Sequence, residues 1–506
     1  MSTFVDNTRR YLSSRLLVAG LVLLLLSACG DSDSRDPLPP SSPTLPIAVA
    51  EISAPPDEGQ PNLLSTTFAL ADVGYEQQEF FLSGSASAFT NLGELASDGL
   101  WEVEPGEAAD YRTRVLVYMP VDAAAFSGSV FVEWLNVTTG FELPVSYGTA
   151  HTELLREGHA VVLVSAQFNG VEGGENSLLP LHLKAVNPDR YGSLDHPGDS
   201  FSYDIFTQVA GLLDNDSGSE LLGGATANLL FAMGQSQSAS RLVTYFNAVQ
   251  PLYGAFDGFL IQNRGAGSSS LAQDPLVAIA TPTPVLLRTD IAAKAINVQG
   301  ESDVHGRGMN SSRQADSATY RLWEVAGSAH NDEYTFVSGR NDLGDDPSYA
   351  VVVEQTSILG FQECTLPMNS GYLVWPVNAA IHALNDWAGG GVAPAPVPRL
   401  DMDAAGIDFL LDDSGNVTGG LRTSYVDAPA AVLSGIGQEG NAFCFLFGTT
   451  ALFDAAQMAA RYTDKAGYTA AVRRSVDEGI EAGTLLAPDG ERIVQAAALQ
   501  WDSLDN

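Results

Sequence analysis

Lysine is almost absent from this chain: it occurs at Lys184, Lys294 and Lys465 only. Lysine and arginine together number 24 against 61 acidic residues, a formal net charge of −37. A surface that acidic repels phosphate backbones, which excludes nucleic acid as a partner. Cysteine is as scarce, with three in 506 residues, so a cysteine-rich scaffold is excluded. No cluster of histidine and cysteine has metal-ligand spacing, so we expect no metal and no cofactor. Long apolar runs are missing beyond the first 28 residues, and no later segment is expected to span a bilayer. What is present is a 45% hydrophobic chain, long enough for one large enzyme domain with an appendage.

The first 28 residues read as a leader. Arg9, Arg10 and Arg15 precede the apolar run 16–26, and Ser27-Ala28-Cys29 follows. This charged, apolar, small-residue order resembles a bacterial lipoprotein signal, which implies cleavage after residue 28 and acylation of Cys29. Gly30 at the next position resembles lipoproteins sent to the outer membrane, so the expected product is a lipid-anchored envelope protein. Residues 29–46, rich in Ser, Asp and Pro, read as a disordered tether. The two other cysteines, Cys364 and Cys444, would then lie where oxidation is permitted. A disulfide between them is expected, with two buried thiols as the alternative.

From about residue 47 the chain alternates strands and helices. The alternating segment 111–119 reads as a strand at a sheet edge. Strands are expected at 129–135, 160–165, 229–233, 256–262, 295–299 and 322–325, and helices at 147–156, 203–213, from Ala239 onward and at 377–387. This is the pattern of a doubly wound α/β domain over 47–398, with a mostly parallel sheet and functional loops at the carboxyl ends of strands. A Gly- and Pro-rich insertion, 167–203, reads as a lid or substrate wall. Residues 399–506 read as a C-terminal extension. It should hold two strands over 408–427 around the turn Asp413-Ser414-Gly415-Asn416, then helix. Asp412, Ser414 and Asn416 alternate as in a calcium loop, but without the glycine and distal glutamate that such a loop needs.

One stretch carries the chemistry. In Gly234-Gln235-Ser236-Gln237-Ser238 a serine sits between a buried strand and a helix. A serine hydroxyl becomes a nucleophile when a base reaches it, and a sharp strand-to-helix turn exposes it for that purpose. The helix N-terminus beneath it also favours developing negative charge. Ser238 stands where the commoner motif has a second glycine, and alone the pattern also fits an ordinary turn. An acid and then a histidine are required downstream, each after a late strand. Asp303, three residues past Gly300, is the expected acid, with Glu301 as its rival, and His330 in Ser328-Ala329-His330 is the expected general base. The backbone N–H of Gln237 and one from Asn136 or Val137 should form the oxyanion hole. Trp134, Phe141, Gln167, Phe168 and His196 are the expected substrate contacts. His151, His159 and His382 fall on helices or their ends and read as structural.

Several blocks are specific enough to name a relative: residues 132–136 (VEWLN), 190–194 (RYGSL), 196–200 (HPGDS), 234–239 (GQSQSA) and 323–330 (WEVAGSAH). From residue 48 onward the chain resembles the bacterial alpha/beta hydrolase domain-containing family, which similarly lacks the second glycine of the serine turn. The resemblance implies an alpha/beta-hydrolase fold and a Ser-acid-His hydrolase. A carboxylic ester of small-molecule size is the expected substrate, since an alkoxide leaves more easily than an amine. Amide hydrolysis on the same triad and a noncatalytic binding lipoprotein are the alternatives. Neither the natural ester nor an oligomeric state is assigned by the sequence.

Overall fold

The computed structural model describes residues 45–57, 59–174, 179–215, 218–440 and 443–505. The leader, Cys29 and all but the end of the tether lie outside them.

A nine-stranded sheet organises the rest. In chain order its strands are β1 Glu51–Ser53, β2 Tyr75–Asn91, β3 Val103–Pro120, β4 Ser129–Trp134, β5 Ala160–Val164, β6 Leu229–Gln235, β7 Gly258–Gln262, β8 Lys294–Gln299 and β9 Tyr320–Glu324. In space the order is β1-β2-β3-β5-β4-β6-β7-β8-β9. β1, β2, β3 and β5 pair antiparallel, and every pair from β5 to β9 is parallel. The strand order reverses around β4: β5 lies on one side and β6 on the other. Ligands of open α/β sheets bind outside the carboxyl ends of strands at such a reversal. Here the loop after β4 meets the turn after β6.

The central strands are mostly apolar because both faces are covered. Val130, Val132 and Trp134 of β4 enter one core, with Tyr203, Ile205 and Phe206 of the helix Ser202–Leu213 and Leu242 and Val243 of the helix Gln237–Thr244. Phe131 and Leu135 face the other core, with Tyr147, Ala150 and Leu154 of the helix Val145–Arg156 and Val377, Ile381 and Leu384 of the helix Val374–Ala388. The two-residue period of the strands thus divides one apolar run between two layers.

Two sequence expectations need correction, and one long strand was not anticipated. The segment 111–119 is part of the 18-residue strand β3, and it lies third from the edge between β2 and β5. Its polar residues are absorbed internally: Arg114 is fully buried and ion-paired with Glu142, and Thr113 Oγ1 donates to Ser165 O. The 17-residue β2, with three Ser, two Gln and two Glu, has too weak an apolar alternation to be read as a strand, but pairs with β3 along nearly its whole length. Residues 408–427 form no paired strands. Isolated bridges join Met402 to Phe409 and Leu411 to Val417, and a turn closes through Gly415 N to Asp412 O at 3.0 Å.

The C-terminal residues carry a two-stranded ladder, Ala431–Ser434 with Thr449–Leu452, and the helices Ala455–Tyr462, Lys465–Glu481 and Ala487–Asp502. Met458, Tyr468, Val472 and Ile493 share a core with Tyr334, Tyr372 and Trp375. Cys364 and Cys444 form a disulfide with a Cα–Cα distance of 5.5 Å.

Candidate active site

β6 continues through Gln235, two residues beyond its apolar run, and Ser236 makes the turn with φ 61° and ψ −114°. A non-glycine residue there is strained by on the order of 1–3 kcal/mol, and such strain persists only when the surroundings enforce it. They do: Ser236 N donates to Gln262 O of β7 at 2.9 Å, and Ser236 O accepts from Ser240 N at 3.0 Å. The strand and the helix Gln237–Thr244 pass closely. A Cβ on Gly234 would stand 3.0 Å from Ser238 Cβ and 3.1 Å from Leu242 Cδ1. One glycine therefore suffices for the crossing, and the serine at 238 is the side chain that fills the space opposite it.

The hydroxyl meets the histidine. Ser236 Oγ lies 2.8 Å from His330 Nε2, and His330 Nδ1 lies 2.5 Å from Asp303 Oδ1. A carboxylate accepts only, so Nδ1 carries the proton and Nε2 is left to accept from the serine. Asp303 is fully buried, and its other oxygen accepts from Asn263 Nδ2 at 2.6 Å and Gly300 N at 3.0 Å. The histidine's backbone is held too: its N–H donates to Ser302 Oγ at 2.5 Å, and its carbonyl accepts from Gln235 Nε2 at 3.0 Å.

Glu301 does not reach the histidine. Its carboxylate accepts from Gly327 N at 2.6 Å and Gly435 N at 2.7 Å, tying the start of the histidine loop to a C-terminal loop. Burial pushes its pKa up to about 7, against the lowering effect of those two N–H groups. Of the two candidate acids, only Asp303 contacts His330 among the described residues.

The loop after β4 is tied to the serine turn by Asn136 Nδ2, which donates to Gln235 O at 2.9 Å. The backbone N–H of Asn136 is used by Leu143 O, and that of Thr138 by Asn136 Oδ1. Among the described residues the N–H of Val137 has no acceptor. Gln237 N–H, the first of its helix, has no intrahelical acceptor either. Two donors thus remain free on the two loops expected to supply them.

Residues 44–495 match a family model described as an alpha/beta hydrolase domain. The chain belongs to the alpha/beta hydrolase family. No curated protein matches this alpha/beta hydrolase in sequence. Solved structures that resemble it include a putative dienelactone hydrolase from Klebsiella pneumoniae subsp. pneumoniae MGH 78578, at 13% identity and TM-score 0.26, over 48% of this chain and 85% of that one. Others are a glucuronoyl esterase from Solibacter usitatus (10%, 0.27, 55% and 72%) and a thermostable esterase from Pseudomonas putida ECU1011 (14%, 0.26, 47% and 66%). Likenesses this distant carry no argument about chemistry, and the family rests on the sequence match.

The expected substrate contacts of this alpha/beta hydrolase divide. Trp134 is wholly buried against Tyr203 and Phe206 and donates through Nε1 to Gln167 Oε1 at 3.0 Å, so both are engaged in packing. His196 is buried, with Nε2 2.9 Å from Ala166 O and Nδ1 accepting from Gly198 N. Burial lowers its pKa, and it serves loop packing. Phe168 is partly exposed at 38%, edge-on to His196, and Phe141 is half-buried. The described part of the insertion is fastened to β2, where Arg190 and Tyr191 both contact Glu79. Gln235, Asn263 and Ser302 escaped the sequence reading. Their only signal was position, beside the serine, one residue past a strand and beside the acid.

Among the described residues no group of three or more His, Cys, Asp or Glu could hold a metal, and no helix is long and apolar enough to cross a membrane.

Proposed function

We propose that this alpha/beta hydrolase is a lipid-anchored serine esterase that cleaves carboxylic esters of small molecules. The observation that carries the reading is the relay from Ser236 Oγ to His330 Nε2 and from Nδ1 to Asp303. As the hydroxyl attacks the ester carbonyl, His330 takes its proton, and Asp303 stabilises the imidazolium. The oxyanion forms between the free N–H groups of Gln237 and Val137. His330 then protonates the departing alkoxide, leaving Ser236 acylated, and water reverses the sequence to release the acid. The leader 1–28 and Cys29 support export and acylation, with the enzyme held at the cell envelope, in the outer membrane, through residues 29–46.

A fluorophosphonate probe tests the nucleophile. Wild type should be labelled and Ser236→Ala should not. Unlabelled wild type, or equal labelling of the two, would sink the proposal and favour a noncatalytic binding protein. An aryl-ester and aryl-amide panel run on the same preparation separates ester from amide hydrolysis.

A further inference from the structure

A groove opens between the segments that immediately follow the oxyanion loop and the histidine. Leu64, Leu143, Pro144, Phe336, Leu359 and Arg340 are among its lining residues. Leu143 is tied to the oxyanion loop by two backbone hydrogen bonds with Asn136, Leu143 N donating to Asn136 O at 2.9 Å and Asn136 N to Leu143 O at 3.0 Å. Phe336 follows His330 by six residues, beyond the turn that Asp332 Oδ1 makes with Thr335 N. Leu64 and Leu359 expose 40% and 38% of their surface there, so the walls offer apolar area to a guest.

Arg340 is the one charged residue of the lining. Like Arg112, Arg264, Arg321 and Arg461 it reaches no carboxylate among the described residues, but each of those four places a terminal nitrogen on a hydroxyl or a carbonyl oxygen. Its Nε donates to Ser65 O at 2.9 Å, and neither terminal nitrogen has a hydrogen-bond partner there. Burial lowers its pKa with no carboxylate to offset the effect. A planar guanidinium with its two outer nitrogens free fits one carboxylate in a bidentate pair. A phosphate dianion would call for a second cation, and the groove has no other charged wall residue.

We infer that the groove binds the body of an ester that also carries a carboxylate, with Arg340 as the counter-ion of that carboxylate. The inference deepens the esterase reading and rests on it. It works against the protein's overall field, which repels anions, so a preference for a charged ester can come only from a local cation.

Two matched pairs of substrates test it on the wild-type enzyme. p-Nitrophenyl pentanoate is compared with the mono-p-nitrophenyl ester of glutaric acid, and phenyl acetate with 4-carboxyphenyl acetate, placing the charge on the acyl and the alcohol side in turn. In at least one pair the charged ester should have the higher kcat/KM by about tenfold, the scale of a charge-assisted hydrogen bond, mainly through KM. Arg340→Gln should abolish that ratio, and Arg340→Lys should keep part of it. No preference in either pair, or an equal loss for both esters in Arg340→Gln, overturns the inference and leaves Arg340 as a clamp on Ser65. If Arg340→Gln does not fold, the wild-type ratios and Arg340→Lys decide. Fluorophosphonate labelling of Ser236 in the same preparations separates the two levels. Labelling without a preference overturns the groove alone, whereas no labelling and no turnover of any ester overturns both.

Discussion

Gln235 Nε2 donates to the carbonyl oxygen of His330 at 3.0 Å and to Asn331 Oδ1 at 3.2 Å. The residue before the nucleophile thus holds the backbone of the base, and serine and imidazole are registered through one buried amide. Gln235→Leu removes both bonds and leaves a buried carbonyl unsatisfied, at a cost of about 1–3 kcal/mol. On an aryl ester kcat should fall roughly tenfold or more, with KM little changed. A drop in Tm with kcat intact would show that the bond serves only folding.

Asp303 and Glu301 can be told apart by isosteric amides. Asp303→Asn reverses the hydrogen-bond polarity at Nδ1 and should lower kcat by about ten-thousand-fold, as the wrong tautomer does in serine proteases. Glu301→Gln leaves the relay untouched and should act on the loops at Gly327 and Gly435, seen as a lower Tm and a much smaller loss of kcat. A larger kcat loss for Glu301→Gln than for Asp303→Asn would reverse the assignment.

Stability should fall as pH rises from about 5 to 8. Burial raises Glu301, Glu153 and Glu333 to about 7 and Glu133 to about 8. A carboxyl raised in the folded state binds its proton more tightly there than when unfolded. Its contribution is full below the ordinary value near 4.5 and is lost as pH climbs through the folded value. Self-repulsion of the acidic surface acts in the same direction. Tm measured at constant ionic strength should be lower at pH 8 than at pH 5 by roughly 5 °C or more, each kcal/mol being worth about 2 °C in a large domain. An unchanged or higher value at pH 8 would contradict the assignment.

The disulfide bears on the site as well as on stability. Cys444 opens the short helix Cys444–Phe447, whose Leu446 O accepts from Asn331 N at 2.9 Å, and Phe447 O accepts from Asn369 N. Joining residues 80 apart restricts the unfolded chain by roughly 4 kcal/mol. The double variant Cys364→Ser, Cys444→Ser should lose most of that in denaturant titration and lose activity at a lower temperature than wild type. Unchanged stability would assign the bridge no structural role.

Much of this was legible along the chain, for physical reasons that are local. Ser236, an acid and His330 follow one another after the strands β6, β8 and β9, and apolar runs mark the parallel strands because both faces are buried. The glycine at 234 marked the crossing of strand and helix. What required the tertiary structure was direction. Glu301 and Asp303 are two apart on one helical turn, so their carboxylates point to different sides, and only the fold shows which side holds His330. Trp134 ends a strand beside the site, but its side chain alternates into the core, toward Tyr203 and Phe206. β3 looked like an edge because its polar residues are satisfied by partners far away in sequence, such as Glu142 and Ser165. Periodicity reports which residues are buried; what each one faces was decided by packing.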